Sequence, residues 1–99
     1  MLKIEKKVEN GKADIRLEGR LDTMTAPELD EAIKALPEDA EALTLDLEKL
    51  EYISSAGLRV LLAAHKAMAK AGGMKILHAN ETVMEIFDVT GFTDILDIE

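Results

Sequence analysis

Leu43–Ala64 read LTLDLEKLEYISSAGLRVLLAA, and the fold turns on how this stretch is divided. Leu43, Leu45 and Leu47 alternate with polar residues, which is the period of a strand with one buried face. From Leu58 onward the spacing changes. Leu58, Leu61, Leu62, His65, Met68 and Ala69 fall on the inner side of a helix, with Arg59, Lys66 and Lys70 on the outer side. A strand ending near Asp46–Glu48 therefore leads into a helix through Ser54 and Ser55, followed at once by Ala56 and Gly57. A serine at such a junction can accept a backbone N–H as a helix cap. The same place is where an open α/β sheet exposes functional residues, beyond the carboxyl ends of its strands. Free N–H groups and the helix dipole favour an anion there. A phosphate on the serine, carrying roughly −1.5 to −2 charge, would be tolerated without unfolding the helix. Residue type and position leave both readings open.

Upstream, Leu2, Ile4 and Val8 alternate with charged residues, as do Ala13, Ile15 and Leu17. Asn10-Gly11 between them suits a type I′ turn, so Leu2–Val8 and Lys12–Glu18 are expected to pair as a β-hairpin. Thr25 and Glu28 have the spacing of a capping box, and Pro27 stands in the first turn, where its missing N–H is harmless. Ala26, Leu29, Ile33 and Leu36 then predict a helix over Ala26–Leu36, closed by Pro37. Downstream, Ala71-Gly72-Gly73 ends the second helix, with glycine suited to a left-handed cap. MKILHA (74–79) predicts a strand. Asn80 caps a third helix running to about Val89, with Val83, Ile86 and Phe87 inward; Gly91 ends it and Phe92 folds back. DILDI (94–98) predicts the last strand. Strands and helices thus alternate after a hairpin. The fold class is α/β: a mixed, mostly parallel sheet packed with three to four helices, in one domain over residues 1–99.

Composition narrows the function. The 99-residue chain has no cysteine, which excludes disulfides and thiolate zinc sites. Its net charge of −8 repels phosphate backbones, so nucleic acid and direct binding to anionic membrane are not expected, and a basic protein surface is the better partner. No apolar run approaches the ~20 residues that span a bilayer, and MLKIEKKVEN does not read as a signal peptide; the expected location is the cytoplasm. A serine nucleophile needs a Gly-x-Ser-x-Gly elbow, but Ile53 stands two residues before Ser55. His65 lies on the inner side of its helix and His78 follows a strand, so neither is placed as a catalytic base. The acidic stretch of Glu38, Asp39 and Glu41 lacks the glycine and ligand spacing of a calcium loop and reads as a solvated loop. Gly72-Gly73 precedes a strand rather than a helix, unlike a phosphate-binding loop. Asp22, Thr23 and Thr25 form a second polar cluster. One of the three caps the first helix, and Asp22 could also belong to a surface beside the serines.

Three stretches together resemble one family. LEGRLDTMTAPELDEAI (17–33) resembles the first motif of STAS domains, the module shared by anti-sigma factor antagonists and sulphate transporter tails. LTLDLEKLEYISSAGLRVLLAA resembles the second, where the family has Asp-Ser-x-Gly-Leu, and VMEIFDVTGFTDILDI (83–98) resembles the C-terminal helix and strand. The resemblance implies that Ser55 is the phosphorylated serine and Gly57 the matching glycine. Ser54 stands where the family has Asp and is the alternative acceptor. It further implies a partner-binding surface of Asp22, Thr23, Ser54, Ser55, Ala56, Gly57 and Arg59. The implied partners are a serine-kinase anti-sigma factor, bound when Ser55 is free and released when it is phosphorylated, and a serine phosphatase that resets the switch. The ATP and its metal belong to the kinase, so the chain itself is expected to be no enzyme and to need no cofactor or metal. The alternative is a constitutive STAS scaffold in a transport or sensory complex, with the serine as a cap.

Overall fold

The hairpin forms as its turn dipeptide dictates. The computed structural model describes residues 2–37 and 39–99. In it β1 (Leu2–Glu9) pairs antiparallel with β2 (Lys12–Leu21). Asn10 and Gly11 have φ of 50° and 80°, the two left-handed positions of a type I′ turn. The chain continues through α1 (Ala26–Lys34), β3 (Ala42–Ile53), α2 (Ser55–Met68), β4 (Met74–Leu77), α3 (Glu81–Thr90), a 3-10 turn (Phe92–Asp94) and β5 (Asp97–Ile98). The five strands lie in chain order, β1-β2-β3-β4-β5, and every pair after the hairpin is parallel. Right-handed crossovers that always step in one direction put their helices on one face. That face is the core, where Ile15, Leu17, Leu45, Leu47 and Ile76 of the sheet meet Leu29, Leu61 and Phe87 of the helices, all fully buried. The other face is open, and its side chains, such as Lys3, Glu5, Asp14, Arg16 and Glu18, are exposed.

β3 is longer than its sequence period suggests, and the reason is physical. Arg16 pairs with Asp46, but Glu18 pairs with Lys49, so two steps along β2 match three along β3. A second slip falls between the Gly19–Leu50 and Arg20–Tyr52 pairs. Two extra residues are therefore bulged out of β3, and each shifts the phase of alternation. Leu43, Leu45 and Leu47 face the core, then Leu50 and Ile53 do, with Glu48 and Lys49 both exposed between them. Read for strict alternation, the strand stops near Asp46–Glu48; in the structure it runs on to Ile53, directly before the serines.

Other boundaries move by a turn or less. β2 extends to Leu21, α1 ends at Lys34 rather than Leu36, and β4 ends at Leu77. β5 keeps only Asp97 and Ile98, because Phe92–Asp94 form the 3-10 turn. On α2 the buried alanine is Ala64 and not Ala69, which is exposed. His65 is half-buried, and its Nδ1 is the buried side-chain polar atom left without a partner among the described residues. α2 does not end in an adjacent left-handed glycine: its cap, Ala69, is right-handed, and Gly73 (φ 94°) closes the turn by donating its N–H to the Met68 carbonyl at 2.9 Å. α3 ends as expected, with Gly91 left-handed at φ 80° and Phe92 packed against the core. Of the acidic stretch, Glu38 lies outside the described residues.

Candidate functional site

The β3–α2 junction assigns its two serines different work. Ser54 is extended (φ −98°, ψ 176°) and its Oγ accepts the Gly57 N–H at 3.4 Å, a long N-cap bond. Its own N–H donates to the Leu21 carbonyl at 2.8 Å, tying the start of α2 to the end of β2. Ser55 is the first helical residue and is exposed. The first turn of α2 carries no acidic residue, so no carboxylate of its own occupies the positive end of the helix dipole. Gly57 lies beneath the serines and is buried. A Cβ there would stand 2.7 Å from Leu21 Cγ and 2.8 Å from Ile53 Cγ1. The glycine lets α2 enter directly over the ends of β2 and β3.

The β2–α1 turn lies at the same end of the sheet and is held rigidly. Asp22 Oδ1 accepts the N–H of Met24 at 3.0 Å and of Thr25 at 3.2 Å, an Asx turn. The side chain of Thr25 is buried (6% exposed); its Oγ1 accepts the Asp22 N–H at 2.9 Å and donates to the Arg20 carbonyl at 2.8 Å. The capping box expected from Thr25 and Glu28 does not form, because the Thr25 hydroxyl turns back to β2 instead of covering the helix N-terminus. The Asp22 carbonyl takes the first free N–H instead, from Ala26 at 2.8 Å. Partial desolvation pushes the Asp22 carboxyl up, but the N–H donors of Thr25 and Met24 outweigh it and hold it below the usual carboxylate range. Asp22 is therefore an ionised group at neutral pH.

Asp22, Thr23, Ser54 and Ser55 lie at the carboxyl ends of β2 and β3, joined through the Leu21–Ser54 hydrogen bond, and Arg59 stands one turn further along α2. Thr23, Ser55 and Arg59 are exposed, Ala56 is half-buried, and Gly57 is beneath the surface. Three neighbours escape a reading of the sequence alone. Met24 is 83% exposed at the tip of the Asp22 turn. Arg20 and Tyr52, paired across β2 and β3, stack with the guanidinium 4.5 Å from the ring centroid. The sequence signal for Met24 was a lone apolar residue among turn-formers. The Arg20–Tyr52 pair was hidden by the bulges, which set its register.

A second polar cluster lies on the open face of the sheet. Asp46 Oδ1 accepts the Glu48 N–H at 3.0 Å across the first bulge and lies 3.1 Å from His78 Nδ1. Desolvation pushes the Asp46 carboxyl up, but the Glu48 N–H, then His78 and Arg16, bring it below its ordinary value. Here the sheet carries a shallow groove of about 300 Å³ lined by Lys3, Arg16, Glu18, Asp46, Lys49 and His78 among others. Lys49 pairs with Glu18 and Lys3 with Glu5, so opposite charges largely satisfy one another within it. The groove does not include the serines. Among the described residues no group of three or more His, Asp or Glu side chains converges as a metal site, and no helix is long and apolar enough to cross a membrane.

A family model described as "Mlab, STAS domain" matches residues 6–97. The anti-sigma-B factor antagonist of Bacillus subtilis is 31% identical over 98 residues, covering 98% of this chain and 90% of that one. The anti-sigma F factor antagonist of Paenibacillus polymyxa is 32% identical over 102 residues, covering 98% and 86%. The crystal structure of an anti-sigma factor antagonist from Mycobacterium paratuberculosis superposes with a TM-score of 0.88 at 25% identity, over 99% of this chain and 85% of that one.

Proposed function

The chain belongs to the STAS domain family, and on that premise we propose that it is an anti-sigma factor antagonist acting in the cytoplasm, switched by phosphorylation of Ser55. The observation that carries the reading is the division of labour between the serines. Ser54 takes the cap, leaving Ser55 exposed at the first position of α2. A kinase can reach that hydroxyl without disturbing the fold. The unmodified surface of Asp22, Thr23, Ser55 and Arg59 binds a serine-kinase anti-sigma factor, which then releases its sigma factor. The kinase transfers the γ-phosphoryl group of its Mg-ATP to Ser55 Oγ, the hydroxyl proton leaves, and ADP departs with the kinase. The added −1.5 to −2 charge (roughly) sits at the helix N-terminus, where the dipole accepts it, but it faces a partner site shaped for a neutral hydroxyl. The complex separates, and a serine phosphatase resets it. The chain is substrate and ligand here, and not a catalyst.

The test is binding to the purified serine-kinase anti-sigma factor of the same organism, with phosphosite mapping. Ser55→Ala should stay bound when Mg-ATP is added, and Ser55→Asp should bind at least tenfold more weakly. Phosphate should map to Ser55 in the wild type and be absent from Ser55→Ala. The phosphorylated domain should melt within a few degrees of the unmodified one; a collapse of stability would make the switch an unfolding event and overturn this mechanism.

A second reading is favoured by Ser54, which stands where the resemblance to STAS domains implies Asp. In it the chain is a constitutive STAS scaffold in a transport or sensory complex, and Ser55 only opens the helix. Equal partner binding by wild type, Ser55→Ala and Ser55→Asp would select it.

A further inference from the structure

We propose that Met24 is the apolar anchor by which this chain enters its protein partner, inserting into an apolar pocket with a basic rim on the serine-kinase anti-sigma factor; this rests on the antagonist reading above. Met24 and Val89 are the two most exposed large apolar side chains among the described residues, each at 83%. Their settings differ. Val89 stands in the last turn of α3, which runs back from Asn80, at the carboxyl end of β4, towards the opposite end of the sheet from the serines. Met24 stands at the serine end, on the turn whose base is tied to the start of α2 through the Leu21 carbonyl and the Ser54 N–H.

The turn displays Met24 on a fixed backbone. The Met24 N–H is held by Asp22 Oδ1 at 3.0 Å, and the next residue, Thr25, is anchored at both ends of its hydroxyl. A backbone ordered before binding loses little entropy on binding, so more of the contact energy appears as affinity. Methionine is unbranched and polarisable, and it fits pockets of irregular shape. An exposed apolar side chain inside a polar ring is also the usual layout of a binding hot spot, where the surrounding groups exclude water from one buried anchor. Here Asp22 and Thr23 precede Met24 on the same turn, and Ser55 opens α2 at the same end of the sheet. The ionised Asp22 carboxylate on the same turn and the net charge of −8 favour cationic groups on the part of the partner's rim that faces Asp22.

The experiment is calorimetry of the full chain against the purified, nucleotide-loaded serine-kinase anti-sigma factor of the same organism. Four variants are compared with wild type: Met24→Ala, Met24→Asp, Met24→Leu and Val89→Asp. Met24→Ala should bind about tenfold more weakly and Met24→Asp about a hundredfold. Met24→Leu and Val89→Asp should stay within about threefold of wild type. Both sites are exposed, so melting temperatures should be unchanged. Wild-type binding with an equally tight Met24→Ala overturns the anchor and leaves the antagonist reading standing. Equal losses in Met24→Asp and Val89→Asp also overturn it, because the effect is then one of bulk charge. A wild type that binds no anti-sigma factor overturns the antagonist reading and the anchor with it.

Discussion

Ser54 and Ser55 are adjacent and chemically identical, and position alone separates them. The cap bond of Ser54 is long, 3.4 Å, so its removal is a mild loss. Ser54→Ala should lower stability by about 0.5–1 kcal/mol, read as a shift in denaturant midpoint at constant slope. Ser54→Asp should raise the melting temperature instead, because a carboxylate caps as well as a hydroxyl and adds about 0.3–1 kcal/mol of charge–dipole attraction. Gly57 has a steric role of the opposite kind. Gly57→Ala gains helix propensity, but its methyl would stand 2.7–2.8 Å from Leu21 and Ile53. Overpacking of this sort costs about 1–3 kcal/mol, so the variant should unfold at lower denaturant and α2 should shift outward. The sequence announced the serine pair and the glycine as a unit. It did not say which serine was the cap, because that depends on where β3 ends, and the bulges conceal the end.

Between residues and fold, two short connections do most of the positioning. Thr25 joins the Asp22 turn to β2 through a buried hydroxyl that both accepts and donates. Thr25→Val keeps the shape but leaves the Asp22 N–H and the Arg20 carbonyl unpaired, which should cost about 2–3 kcal/mol, while Thr25→Ser should recover most of it. The sequence pattern pointed to Thr25 correctly as a structural residue, yet its capping box was the wrong partner set. Spacing records which groups can meet, and the hydroxyl found the strand first. The bulge at Asp46 is the second connection. The Asp46 carboxyl is lower in the folded protein than in the unfolded chain, where it titrates at about 3.9. Its contribution is therefore fully present above that value and is lost as pH falls through the folded pKa. Asp46→Asn should be less stable than wild type at pH 7, and the two melting temperatures should converge in acid, as Asp46 becomes protonated in the wild type. His78 sits beside it in a left-handed conformation, φ 61°, that few histidines adopt, and its ring meets Asp46 from there.

At the scale of the molecule, charge and topology act separately. The acidic excess does not specify the fold but steers encounter. Association with a basic partner should slow as salt rises from 50 to 500 mM, with dissociation nearly constant, which stopped-flow measurements would resolve. The α/β class, the hairpin, the three helices and the parallel strands were all legible, because two periods and a few capping residues encode them. The lengths of β3 and β5 were not, since bulges and a 3-10 turn break the period that a sequence reader follows. The sheet order is the feature with the widest reach. Strands lie side by side in the order in which they are made. As the chain leaves the ribosome, the partner of each later strand has already been made before that strand emerges. No strand must wait for a later one to be inserted between it and its partner, so the domain can assemble by accretion, one strand and one helix at a time, during its own synthesis.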